Sequence, residues 1–167
     1  MTKDAAYWIE KLSLSRHPEG GFFRQTFRSK ELIKKEHLPG RFQGSRVFST
    51  AIYYLLPGDE VSRFHRLKSD EIWHFYAGSA LTLYVIDQAG SLAKMKLGAD
   101  FERGEAFQAA MEAGSWFGAV VEDPSSYALV GCTVSPGFEY EDFALGDQKS
   151  LIERYPEYRW VIEKLTG

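Results

Sequence analysis

The chain has 167 residues, 44% of them hydrophobic and 26% charged, with 20 basic against 23 acidic side chains and a formal charge of −3. That is the size and composition of one globular domain with a substantial apolar core, and the near balance of charge argues against a dedicated nucleic-acid or anionic-membrane surface. A lone cysteine, no signal-peptide core at the N-terminus, and no apolar run near the roughly 20 residues that span a bilayer together predict a soluble cytoplasmic protein.

The first element is a helix. Ala5, Trp8, Ile9 and Leu12 recur at the spacing of one helical face, with Thr2 or Asp4 as the cap. The turn residues of "HPEGG" at 17–21 end it, and "FFRQTFRS" then reads as a strand running to Ser29. Residues 30–45 are charged and carry Pro39, Gly40 and Gly44, the mark of a long surface loop.

From residue 46 onward short strand-like runs alternate with turn signals: "RVFSTAIYYLL", "VSRFHRL", "DEIWHFYA", "ALTLYVID", "SLAKMKL", "EAFQAAM", "SWFGAVV", "SYALVGCTV" and "FEYEDFAL". Strands at this spacing predict an all-β sandwich or barrel rather than a parallel α/β sheet. Two helical pieces, 147–155 and 157–165, finish the chain around Pro156. No repeat, low-complexity segment or linker divides the sequence, so a single domain over 1–167 is expected.

The chemistry concentrates in "VSRFHRLKSDEIWHFYAG" at 61–78. Side chains two apart on a strand share a face. If the two runs form a hairpin, His65 and Glu71 meet on one face and His74 points away. A histidine beside a carboxylate suits either an acid–base dyad or a divalent metal. Trp73 shares the Glu71 face, and Trp116 sits near Gly114. Arg24 and Thr26 lie two apart on the early strand. Such tryptophans stack on sugar rings and an arginine fork holds an anionic group, so Arg24, Thr26, Trp73 and Trp116 are candidate ligand contacts, with Glu139 behind them. Cys132, in an apolar run, reads as a small buried hydrophobe; His17 and His37 read as surface or capping residues.

Three stretches, "HPEGGFFRQT" at 17–26, "SRFHRLKSDEIWH" at 62–74 and "ALVGCTVSPGFEYEDF" at 128–143, resemble the cupins, and most closely their small Cupin_5 branch. Against the general cupin motifs, His65, Glu71 and Gly78 stand at matching places, and Leu67 stands where a second histidine is expected. In "EAGSWF", Gly114 matches and Phe117 replaces the last histidine. The resemblance implies an antiparallel jelly-roll barrel with short helices at both ends, and a homodimer in which "FFRQTFRS" is exchanged between subunits. Cupin sugar epimerases are similar in pairing a histidine–carboxylate dyad with a tyrosine; one of Tyr53 and Tyr54 must face the interior, and Tyr53 is the candidate. The expectation is a binder of a small carbohydrate-like or other polar molecule, with metal-independent epimerase or isomerase chemistry at His65, Glu71 and Tyr53. The alternatives are a metal-dependent enzyme whose ion is held by His65 and Glu71, and a non-catalytic sensing protein; no cofactor is expected in the first or the last.

Overall fold

In the computed structural model, which describes residues 3–167, helix α1 (Ala5–Lys11) is capped by Asp4, whose carboxylate accepts from the Tyr7 N–H at 2.8 Å. The strands follow as β1 (Ser15–Arg16), β2 (Phe22–Arg28), β3 (Leu32–Ile33), β4 (Arg46–Val47), β5 (Thr50–Pro57), β6 (Val61–Arg66) and β7 (Asp70–Gly78). Then come β8 (Leu81–Ile86), β9 (Leu92–Leu97), β10 (Glu105–Ala106), β11 (Gln108–Met111), β12 (Trp116–Val121), β13 (Tyr127–Ser135) and β14 (Ala144–Leu145). Helices α2 (Gln148–Arg154) and α3 (Arg159–Thr166) close the chain.

Two six-stranded sheets face each other, in the orders β1-β2-β5-β13-β7-β11 and β10-β9-β8-β12-β6-β14. This is the expected all-β jelly roll with helices at its ends. Alternation, broken locally by bulges, builds it. Tyr54, Leu56, Trp73, Leu83, Phe117 and Ala119 point into the space between the sheets. The opposite faces carry separate apolar clusters. Leu55 and Leu129 meet Trp8, Ile9 and Leu12 around α1, and Phe64 and Ile86 meet Val161, Ile162 and Leu165 of α3.

Three local expectations differ. β6 and β7 are not a hairpin, because they belong to opposite sheets: the chain turns a barrel corner between them, so His65 and Glu71 face each other across the interior. "EAFQAAM" splits between the sheets, β10 pairing with β9 and β11 with β7. "FEYEDFAL" is mainly a pinned loop with a single 3-10 turn, Tyr140–Asp142, before the two residues of β14. Its pins are the Gly137 N–H on the Val47 carbonyl at 2.8 Å, the Phe138 N–H on Thr50 Oγ1 at 2.9 Å, and a two-pronged pair between the buried Arg46 and Asp142, both bonds 2.7 Å. No helix among the described residues is long and apolar enough to cross a membrane.

Candidate functional site

A cavity of about 250 Å³ opens at one end of the barrel. Its walls include Phe23, Ile52, Leu67, Phe138 and Phe143; His17, Glu19, His65, Glu71 and Cys132 bring its titratable groups, beside the neutral polar Gln25 and Thr50 and the Tyr140 phenol. The sequence places them by three devices.

The first is the "HPEGG" loop, which closes the barrel end. Gly20 (φ +109°) and Gly21 (φ +71°) sit so close to the strands that a Cβ on Gly20 would lie 2.3 Å from the Val61 carbonyl oxygen. The Glu19 carbonyl accepts from the Arg63 N–H at 2.8 Å, the Pro18 carbonyl from the Arg63 guanidinium, and the Gly20 carbonyl from the Tyr54 hydroxyl at 2.9 Å. So held, Glu19 is 5% exposed and its carboxyl points inward.

The second is a β-bulge. Phe117 and Ala119 of β12, two apart, oppose His65 and Ser62 of β6, three apart. The extra residue brings both Ser62 and His65 to the interior, which simple alternation forbids. Gly118 sits opposite the bulge, where a Cβ would meet the Ser62 carbonyl oxygen at 2.6 Å.

The third is β7, whose alternation turns Glu71 and Trp73 inward together. The fully buried Trp73 indole N–H donates to Glu71 Oε1 at 2.6 Å.

Hydrogen bonds fix the protons. His65 Nδ1 lies 2.7 Å from the Arg63 carbonyl, which only accepts, so Nδ1 carries a hydrogen. His65 Nε2 lies 3.0 Å from Glu19 Oε2. One proton is therefore shared between Glu19 and His65. Glu19 Oε1 accepts from the Ser62 hydroxyl at 3.0 Å. The His17 Nδ1 accepts from the Glu19 N–H at 3.1 Å, so neutral His17 carries its hydrogen on Nε2.

Burial raises the pKa of Glu19 and lowers those of His65 and His17, which drives the whole cluster towards its uncharged forms. Glu71 is pushed up to about 7, first by burial and then by the neighbouring Glu19, against the opposing pull of His65 and the Trp73 N–H. The Cys132 thiol, a weak donor, also bonds this carboxyl, which lines the cavity and, beyond the Trp73 N–H, takes no other side-chain N–H or O–H among the described residues. Burial also raises the Cys132 thiol well above its usual range, which keeps it a neutral wall group rather than a nucleophile.

The expected residues divide. His65 and Glu71 share the cavity, but His65 pairs with Glu19 rather than directly with Glu71. Both its ring nitrogens are engaged inside the protein, and Glu71 is a second carboxyl lining the cavity. Tyr53 lies on the outer face against Tyr76, because the register Arg24↔Tyr53 and Phe23↔Tyr54 turns Tyr54 inward. Arg24 shares that outer face with Tyr53, its guanidinium 5.9 Å from the ring centre. Thr26 is the bulged residue of β2, its hydroxyl donating to the Ala51 carbonyl at 3.2 Å.

Trp73 is inside but walled off as the support of Glu71. Trp116 points outward, under the Arg66 guanidinium at 4.6 Å, because Phe117 takes the inward place. Glu139 pairs with Arg28 at 2.6 Å on the surface, outside the cavity. Sequence reasoning missed Glu19 and His17. The signal available was the acid set directly before paired glycines, a loop built for close approach.

The donor set does not fit the three-histidine, one-glutamate centre of metal-dependent cupins. Leu67 occupies the second histidine's place, and the Phe117 ring, at the third, packs 4.2 Å from that of His65. His65 is bonded to Glu19, and Glu71 takes an N–H from Trp73. Among the described residues no three His, Cys, Asp or Glu side chains are grouped to hold a metal ion.

Comparison with known proteins agrees with this architecture. Protein SO0799 from Shewanella oneidensis is 40% identical, with 99% of each chain covered and a TM-score of 0.88. A hypothetical protein from Leishmania major is 35% identical over 97% of this chain and 98% of its own, with a TM-score of 0.87. The uncharacterized protein YML079W of Saccharomyces cerevisiae is 29% identical over 143 residues, 80% of this chain and 71% of its own. Oxalate decarboxylase from Bacillus subtilis shares the fold, with a TM-score of 0.54 at 13% identity over 90% of this chain and 36% of its own. The sequence matches the Cupin_5 family, Cupin superfamily (DUF985), over residues 6–146, and the chain belongs to that family.

Proposed function

We propose that the protein binds a small molecule in the barrel cavity, with an apolar body against the phenylalanines and a polar group on Glu71, and that this binding needs no metal. One observation carries the reading: Glu71 is 7% exposed, lines the cavity, and is anchored by the Trp73 N–H with only the weak Cys132 thiol as a further donor. A buried carboxyl held this rigidly is a polar anchor of the kind ligand pockets use sparingly among apolar walls. The support for a carbohydrate is weaker, since Arg24 and Trp116 point away from the cavity and Trp73 is sealed beneath it.

A second reading is isomerase chemistry, favoured by the carboxyl poised near 7 beside the proton-sharing Glu19–His65 pair. Chelator-treated protein and its Glu71→Gln variant, incubated in deuterium oxide with a panel of small metabolites, test both by calorimetry and mass spectrometry. Binding that weakens at least tenfold in the variant supports the anchor, and one-deuteron uptake that the variant abolishes supports the isomerase. Binding recovered only when a divalent metal is restored contradicts both.

A further inference from the structure

The cavity offers carboxyl acceptors and no fixed cation. Two carboxyl groups, Glu19 and Glu71, stand at its floor, and no lysine or arginine lines it. The arginines that reach its rim loop are already engaged, Arg28 by Glu139 and Arg46 by Asp142 and Glu141. Glu19 is committed to Ser62 and His65, so the acceptor with capacity to spare is Glu71, more than nine-tenths buried, whose carboxyl takes the Trp73 N–H and only the weak Cys132 thiol besides.

Aromatic rings surround the way in. Phe138 meets Tyr140 edge-on at 5.0 Å between centres, Phe143 lies 6.2 Å from each of them, and Phe23 sits against His17 on the far wall. Ring faces carry negative potential and attract cations, as carboxylates do; they offer nothing to an anion. A carboxylate or phosphate entering here would meet two acids and no positive side chain.

Resting on the reading of this cavity as a ligand site, we propose that its ligand is a small organic cation, an amine bound as its ammonium form. An ammonium N–H donates to the Glu71 carboxyl, and the carbon substituents lie between Phe23, Phe138 and Phe143. The cavity limits the size: at about 30 Å³ for each water-sized group, its volume holds on the order of eight such groups.

Three probes of one size separate the possibilities: benzylamine, benzyl alcohol and benzoate, titrated calorimetrically into chelator-treated protein at pH 7.5. The expected result is benzylamine bound at least tenfold more tightly than benzyl alcohol, with benzoate the weakest. Glu71→Gln should reduce benzylamine to the affinity of benzyl alcohol, a loss at least severalfold larger than the variant causes for the alcohol. Phe138→Leu, on the rim and away from the buried floor, should weaken benzylamine severalfold more than the alcohol. Benzyl alcohol or benzoate binding as tightly as benzylamine overturns the cation assignment and leaves the cavity a ligand site. None of the three binding at millimolar concentration overturns both readings.

Discussion

Glu71 shows how one buried side chain carries a pH signature. Its carboxyl is held near 7 in the fold against 4.5 when exposed, so between those values the folded state binds the extra proton. Stability from this group is therefore lost as pH rises through that window, by about 3 kcal/mol in total. Glu19 acts with the same sign. His17 and His65 act oppositely, since their lowered values make stability rise with pH up to about 6.5.

The net profile mixes these slopes, so the clean observable is a difference. Glu71→Gln, which keeps an oxygen for the Trp73 N–H, should match the wild type near pH 4.5. It should exceed the wild type by about 3 kcal/mol above pH 7 in denaturant unfolding. An advantage that does not grow with pH would show the carboxyl to be ionised in the fold.

At the scale of elements, the strands were legible because each buries one face, and alternation of Ile, Val, Leu and aromatics records that directly. Which strand adjoins which was not. The "LKSD" corner between β6 and β7 uses the same turn residues as a hairpin, and only the sheet register shows that it crosses between layers. Parity explains the tyrosines: one of Tyr53 and Tyr54 had to face inward, and the pairing of β2 with β5 decides it. Bulges erase alternation locally, which is why Thr26 and the joint inward turn of Ser62 and His65 could not be read from spacing. Glu19 reaches His65 across 46 positions of chain, a contact no local pattern encodes.

The rim loop also belongs to this scale, since it replaces an expected strand by pins. Arg46 is 1% exposed and its guanidinium grips Asp142 with two bonds. Arg46→Ala leaves that buried carboxylate without its partner and should cost about 3–5 kcal/mol in unfolding free energy. A loss below 1 kcal/mol would mean the loop is held by its backbone bonds alone.

For the molecule as a whole, the two sheets are covered unequally. One outer face lies under α3, while α1 covers only part of the other, leaving Phe27, Ile72 and Tyr76 at 54%, 40% and 54% exposure. An apolar patch on a sheet face favours association. We expect two copies to pair through this face, Tyr53 and Arg24 lying within it. Sedimentation should give a dimer for the wild type and a monomer for Ile72→Asp with Tyr76→Arg. A wild-type monomer at micromolar concentration would rule the pairing out, and with it the exchange of β2 between subunits.

The central claim is that the barrel cavity is floored by Glu71, a buried carboxyl that exchanges its proton near neutral pH. Carboxyl-carbon NMR on chelator-treated protein, with Glu71→Gln to assign the resonance, measures it directly. The account predicts a titration of Glu71 with its midpoint near 7, well above the ordinary glutamate range. A midpoint near 4.5 would contradict it, since Glu71 would then be an ionised group with a partner that this account lacks.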